Sequence, residues 1–278
     1  MKKLLTILLT LVLVTSAIFA QGNQETETTV KENYTFGGSS TVAPIANSAI
    51  PLFEEKNPNF KISYETLGSS TGISQLLEGT LSLAGSSRVL KDSEIQKGCV
   101  PTTIALDGIT VGVNETVSIS NLSMQQLKSI FTGEITNWNE VGGSNQKIEV
   151  ILRDEASGTR ASFEEIVHKK ITPKQNAIVA HENGDVASKI AATPGSIGYI
   201  GMAFGSIITE AGGSLLTIDN VEANVKNVLN NTYPISRALY VVTMGQPKEG
   251  STEKAFINFI LSEEGQEIVA ENQFIRIN

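Results

Sequence analysis

From residue 34 onward, short apolar runs of β type alternate with amphipathic segments, and the junctions between them are rich in glycine and serine. Residues 34–36 predict a short strand, broken by Gly37-Gly38-Ser39-Ser40-Thr41. Pro44 then stands at the start of a helix over residues 43–55, with Ile45, Ala49, Ile50 and Phe53 on one face. Residues 61–66 alternate as a strand does, and Gly68-Ser69-Ser70-Thr71-Gly72 opens the helical run that follows. Residues 81–84 are apolar and end in Gly85-Ser86-Ser87-Arg88. Residues 148–152 form another apolar run. It leads through Arg153-Asp154-Glu155-Ala156-Ser157-Gly158-Thr159 into a helix with Phe163, Ile166 and Val167 at its apolar positions. Four Gly/Ser corners therefore follow β-type runs, and three of them open helices.

The remaining pattern continues the alternation. Ser123 and Gln126 have capping-box spacing before a helix over 123–131 that ends at Thr132-Gly133. Gly184 opens a helix over 185–192, stopped by Pro194-Gly195, and 196–200 is strand-like. Residues 201–213 read as a glycine-punctuated loop with a short strand. Ser251 caps a helix over 252–261, and 263–271 is a last helix with acids in its first turn. Strands alternating with helices throughout argue for α/β layers. Two long apolar runs, 104–113 (with Asp107 and Gly108 inside) and 235–244, fit strands that cross between two lobes with a cleft between them. That division gives lobe 1 as 34–108 plus 240–278 and lobe 2 as 109–239.

The first 33 residues read differently. Lys2 and Lys3, a mostly apolar stretch from Leu4 to Val14, and small residues Ser16, Ala17 and Ala20 predict a signal peptide over 1–20, the alternative being a retained membrane anchor, for which the apolar run is short. Residues 21–33 are polar and predict a flexible tether. No cysteine lies near the cleavage site, so the usual lipoprotein anchor is not expected. Cleavage removes Lys2 and Lys3 and takes the formal charge from −8 to −10. The mature protein is expected outside the cytoplasm.

Composition narrows the function. With 278 residues, 40% of them hydrophobic, the chain can form one large or two modest domains. An acidic chain without basic clusters argues against nucleic acid as a partner. One cysteine, Cys99, and two histidines, His168 and His181, exclude an intrachain disulfide and argue against a metal site or metal cofactor. Cys99 is expected to be a small buried hydrophobe or a loop thiol, and Trp138 a packing anchor.

The corners suggest an oxyanion cradle. Free backbone N–H groups and the positive dipole end at a helix N-terminus favour an anion. Arg153 adds a planar, permanently charged fork, and Ser157 and Thr159 add hydroxyls. The plain alternative makes Ser157 an ordinary N-cap and pairs Arg153 with Asp154 or Glu155. An enzyme alternative also fits the letters: Gly68-Ser69-Ser70-Thr71-Gly72 matches the G-x-S-x-G elbow of serine hydrolases, with Ser70 as nucleophile and Asp154 and a histidine after it. Against it, His168 beside Lys169 and Lys170 reads as a solvated cation at a helix end.

Taken together, these corners resemble the phosphate-binding proteins of phosphate ABC transporters, over about residues 34–278. The resemblance rests on Gly38-Ser39-Ser40-Thr41-Val42-Ala43-Pro44, Gly68-Ser69-Ser70-Thr71-Gly72, Ser86-Ser87-Arg88, the stretch from Phe131 to Trp138, Arg153 with Ser157-Gly158-Thr159, Gly195-Ser196-Ile197-Gly198-Tyr199, and the tail from Phe259 to Gln266. It implies a two-lobed periplasmic-binding-protein-like fold of type II, hinged, closing on one phosphate ion as a monomer, and no enzymatic activity. It implies delivery to ABC permease subunits in the membrane. Carried over, Ser40 and Thr41 bind through N–H and hydroxyl, Ser69 through its hydroxyl, Arg153 through its fork, and Ser157, Gly158 and Thr159 through the helix end. Glu155 takes the place of an acid that holds the arginine. Ser87 stands where some members carry an aspartate that accepts the proton of hydrogen phosphate, which leaves phosphate-versus-sulfate discrimination open. Arg88 is either a second charge near the cleft or a surface residue. Another oxyanion, or an anion-sensing role without a transporter, remains compatible with the same residues.

Overall fold

The computed structural model describes residues 32–169 and 171–277. The signal peptide and most of the tether expected from the sequence lie outside the described residues. The first strand, β1 (Glu32–Gly38), takes in the last two residues assigned to the tether, because their backbone pairs with β2. The other strands are β2 (Phe60–Thr66), β3 (Leu83–Ser86), β4 (Cys99–Val113), β5 (Asn121–Leu122), β6 (Glu149–Arg153), β7 (Ile178–Ala180), β8 (Ser196–Gly201), β9 (Ser214–Ile218) and β10 (Ser236–Met244). They run in the order β2-β1-β3-β10-β4-β8-β6-β7, with β9 pairing with both β4 and β5.

Two strands divide the hydrophobic interior. The first part of β4 pairs antiparallel with β10, from Cys99↔Met244 to Asp107↔Arg237 and Gly108↔Ser236. Its last five residues pair instead with β8, and three of them also with β9. Ile104 and Ala105 on β4 and Leu239 and Val241 on β10 therefore enter one core, with Phe36, Phe53 and Phe256. Ile109, Val111 and Val113, further along β4, enter a second core with Phe131, Trp138, Phe163 and Tyr199, which Ile235 also joins. The two apolar runs are thus crossings, and the fold is the two-lobed α/β arrangement. Parallel pairing of β1 with β2 and β3, and of β6 with β7 and β8, aligns the carboxyl ends of those strands within each lobe. Open α/β sheets place ligands at such ends.

Local chemistry sets the helices. Ser123 accepts from the Gln126 amide at 3.1 Å while Gln126 Oε1 accepts from the Ser123 amide at 2.9 Å, and Gly133 ends that helix at φ +83°. Ser251 caps the helix Thr252–Leu261 and Ser262 caps Glu263–Glu271. Trp138 is buried and donates its indole N–H to the Gly195 carbonyl at 2.9 Å, as a packing anchor. Cys99 is a buried free thiol.

Two sequence expectations change. Residues 201–213 are mainly helical, as a short turn at Met202–Phe204 and a helix Gly205–Glu210, because Ile208 buries against Gly112 and the Ile190 cluster. The strand follows them as β9. His168 is fully buried rather than solvated. A π-helical segment, Glu164–His168, turns its ring towards Phe131 and Phe163 and out of solvent. Burial holds its pKa below the ordinary value, so the folded protein binds this proton less readily than the unfolded chain, which takes it up below about pH 6.5. Stability from this group is therefore present at neutral pH and lost as pH falls, by up to about 1.4 kcal/mol per pH unit. Urea denaturation between pH 7.5 and 5 should show that decline, and His168→Leu should flatten it.

Candidate functional site

Three corners from the first lobe approach one point. Gly38 turns with φ +125°, so close to Gly85 that a Cβ would lie 2.5 Å from the Gly85 carbonyl oxygen. After this turn, Ser39 is buried; its hydroxyl accepts from the Thr41 amide at 3.1 Å and the Val42 amide at 3.3 Å. Tyr64 OH donates to the Ser39 carbonyl at 2.6 Å. Ser69 begins the helix Ser69–Leu77 and is buried. Its Oγ accepts from the Ser87 amide at 3.1 Å and lies 3.3 Å from Ser87 Oγ.

The second lobe supplies the charge. Arg153 ends β6 and is 1% exposed. Its backbone N–H donates to Tyr199 OH at 3.4 Å, and the Tyr199 ring stacks on Phe163 with centroids 4.0 Å apart. Its fork donates from Nη2 to the His181 carbonyl at 2.6 Å and to Ser40 Oγ at 3.2 Å, and from Nη1 to Asn183 Oδ1 at 3.4 Å. Nε has no hydrogen-bond partner. Burial lowers the Arg153 pKa and Asp154 works against that shift, while the Arg237 charge adds to it. Arg237 is itself paired with buried Asp107 at 2.8 Å, so the guanidinium left to favour an anion in this buried region is that of Arg153. Ser157 does cap the helix Gly158–Phe163, accepting from the Arg160 amide at 3.2 Å.

The two halves meet. Thr41 Oγ1 lies 3.2 Å from Thr159 Oγ1, Ser162 Oγ donates to the Ser87 carbonyl at 2.9 Å, and the Ser70 amide donates to the Ala156 carbonyl at 3.0 Å. A Cβ on Gly158 would overlap Ser69 Oγ and come within 2.6 Å of Ser87 Oγ. All eight residues expected at the site, Ser40, Thr41, Ser69, Ser87, Arg153, Ser157, Gly158 and Thr159, therefore fall in this region, and it is the closed approach of the lobes. Gly158→Ala should hold the lobes apart and weaken anion binding by about tenfold or more, or about 1.4 kcal/mol. Calorimetric titration of that variant checks it, with the ligand-free melting temperature little changed.

Several supporting assignments differ from expectation. Glu155 is exposed and does not pair with Arg153, whose place is held instead by the His181 carbonyl, Asn183 and Ser40. Arg88 is neither at the surface nor free for a ligand. It is buried and forks onto Glu94 at 2.7 and 2.9 Å, and these contacts keep the Glu94 carboxyl below its ordinary pKa although its burial alone would raise it. The hydrolase alternative lacks its centre: Ser70 Oγ accepts from Arg88 at 3.4 Å, His168 is enclosed by aromatic rings, and His181, although 3.0 Å from Asp154, shares no hydrogen bond with Ser70. Among the described residues no cluster of acids, cysteine and histidines forms a metal site.

Three neighbours of the site escaped the sequence reading. Asn183 holds Arg153 Nη1 and the Gly201 amide through Oδ1 and donates Nδ2 to Thr41 Oγ1 at 3.4 Å. Arg237 and Asp107 form a buried pair at 2.8 Å, opposite each other on the two crossing strands. A charged residue within each of two apolar runs was the available signal for that pair. For Asn183, which reads as one polar loop residue and is in fact the first residue of the helix Asn183–Ala192, there was none.

Residues 23–264 match the model of the PBP superfamily domain. The phosphate-binding protein PstS of Borreliella burgdorferi is 35% identical, over 100% of this chain and 99% of that protein. PstS of Bacillus subtilis is 33% identical, over 86% of this chain and 78% of its own. Among solved structures, a putative phosphate ABC transporter substrate-binding protein from Clostridium perfringens, with bound phosphate, superposes with a TM-score of 0.80 at 35% identity. It covers 89% of this chain and 100% of its own.

Proposed function

We infer the function of this chain from its family: it belongs to the PBP superfamily and, within it, to the phosphate-binding proteins of the PstS kind. The chain captures inorganic phosphate between its lobes and delivers it to an ABC importer. The observation that carries this reading is the buried Arg153 fork, with its donors within reach of Ser40 from the other lobe and beside a ring of hydroxyls and a capped helix end. The proposed ligand set is Ser40, Thr41, Ser69, Ser87, Arg153, Ser157, Gly158 and Thr159. The proposed lobes divide at the crossings, near 108 and 240. Membrane permease subunits are the proposed recipients, and the mature chain acts as an extracytoplasmic monomer.

The charge balance is compatible with this. A net charge near −10 repels a dianion at long range, but screening confines that to about 8 Å at physiological salt. Charge-assisted hydrogen bonds contribute about 1.5–3 kcal/mol each, and micromolar affinity requires about 8 kcal/mol. A handful of aimed donors is therefore enough. Titration of the purified mature protein with phosphate, sulfate, arsenate and molybdate tests the reading. Saturable one-to-one binding of phosphate is expected, and no heat and no thermal shift with phosphate would overturn it.

A further inference from the structure

The stretch from Phe259 to Gln266 carries part of the family resemblance, yet none of its residues belongs to the proposed ligand set. Its last residue, Gln266, is fully buried in the helix Glu263–Glu271. Nε2 donates to the Ile104 carbonyl on β4 and to the Ile260 carbonyl, both at 3.0 Å, and Oε1 accepts from the Ile277 amide at 3.0 Å. Two carbonyls on one side and an N–H on the other fix which way round this amide sits. Beyond the helix, Gln273 turns the chain at φ +65°, in a region that residues with side chains rarely adopt. The segment that follows runs antiparallel to β4: Leu106 and Ile275 exchange both backbone hydrogen bonds, at 2.8 and 3.0 Å. Continuing that register would pair Ile277 with Ile104, and the Gln266 amide stands between them, accepting from one and donating to the other. On its other edge Leu106 faces Ala238 of β10. At the crossing, β4 thus lies between β10 and this segment. Adjacent side chains of the segment enter different lobes. Phe274 joins the core of Phe36 and Phe256, and Ile275 joins the core of Ile109, Phe131 and Tyr199.

We propose that residues 274–277 form a third crossing between the lobes that limits how far they swing apart, and that Gln266, which pins this segment to β4, is a positioning residue of the hinge. Two strands side by side make a narrow ribbon that bends and twists. A third strand on the free edge of β4 widens the ribbon and stiffens it. The restraint has a fixed length, since the Cα atoms of residues 274 and 275 are about 3.8 Å apart across a trans peptide. Opening therefore has to draw Ile275 from one core, draw Phe274 from the other, or break the bonds to Leu106. Close-packed cores do not yield gradually to such displacement. Gln266 holds the segment two residues beyond the Leu106 bridge, so it cannot peel from that side. The restraint belongs to the fold and goes beyond the phosphate reading. Where that reading holds, an ion leaves only from an opened cleft, and the same restraint slows its release.

Two measurements test this. Pulsed electron paramagnetic resonance on the ligand-free mature protein, spin-labelled at Glu55→Cys in the first lobe and Asn139→Cys in the second, reads the spread of lobe-to-lobe distances. Stopped-flow mixing reads the release of phosphate. Both labelled positions are exposed, and the native Cys99 is buried. Gln266→Met removes the amide bridge at nearly constant volume. Ile277→Pro removes only the N–H that Gln266 receives and leaves the buried side chains in place. Ile62→Ala trims the first lobe's core on β2, away from the crossing, and serves as the control for lost stability. The net contribution of one neutral hydrogen bond shifts an equilibrium by about fivefold. Gln266→Met and Ile277→Pro should therefore broaden the distance distribution and speed phosphate release by about threefold or more, whereas Ile62→Ala should melt earlier and leave both as in the wild type. An unchanged distribution in folded Ile277→Pro, or an equal broadening in Ile62→Ala, would overturn the proposal. Should Gln266→Met not fold, Ile277→Pro decides alone. A wild type that binds no phosphate removes the functional reading instead, and the distance measurement still decides the hinge.

Discussion

Replacing Arg153 with alanine is expected to weaken phosphate binding by a hundredfold or more. The guanidinium is nearly inaccessible, and its Nε makes no hydrogen bond within the protein. Its contact to Asn183 is long, so two of its donor groups are free to turn to an anion at little cost. Two charge-assisted bonds contribute about 3–6 kcal/mol, and a hundredfold corresponds to about 2.7 kcal/mol. Alanine also strands the carbonyl of His181, which now accepts from Nη2 at 2.6 Å. Arg153→Lys should recover only part of the loss, because an ammonium is a point charge without the planar fork. Calorimetry on both variants, with circular dichroism to confirm folding, measures this. Alanine affinity within threefold of wild type would remove Arg153 from the site.

The largest effect on stability is expected from Asp107→Ala. This substitution leaves the Arg237 guanidinium buried with its counter-charge gone, at the junction of both cores. Removing one partner of a buried ion pair costs about 3–5 kcal/mol, chiefly because the other charge remains uncompensated. Urea denaturation should show that loss, and adding Arg237→Leu should restore much of it, since a hydrophobic replacement of the whole pair is often neutral. A single-variant loss under about 1 kcal/mol would mean the pair is solvated or unpaired in solution.

The legible part of this chain was its punctuation. Glycine and serine after each apolar run marked the corners that hold Ser40, Ser69 and Ser157, because few other residues satisfy a tight turn and a helix start together. The crossings could be read because residues 104–113 and 235–244 are too long and apolar for one lobe's edge. What was missed has a physical basis as well. Period and composition say that His168 follows a helix, but not that a π-helical turn swings it into an aromatic core. The helix over Gly205–Glu210 was hidden by glycines flanking Ile207 and Ile208, where packing of Ile208 overrides weak propensity. Glu155 lies close to Arg153 along the chain, yet the fork turns into the cleft and finds the His181 carbonyl and Asn183 of its own lobe and Ser40 of the other instead. Side-chain direction at a strand end is set by tertiary contacts, which no spacing rule contains.

The most direct test of the account is a crystal structure of the mature protein grown with phosphate. The account predicts one tetrahedral ion within hydrogen-bond distance of the Arg153 guanidinium and, at the same time, of hydroxyls or amides from Thr41 and Ser69 in the first lobe and Thr159 in the second. An ion bound elsewhere, or held by residues of a single lobe, would contradict it.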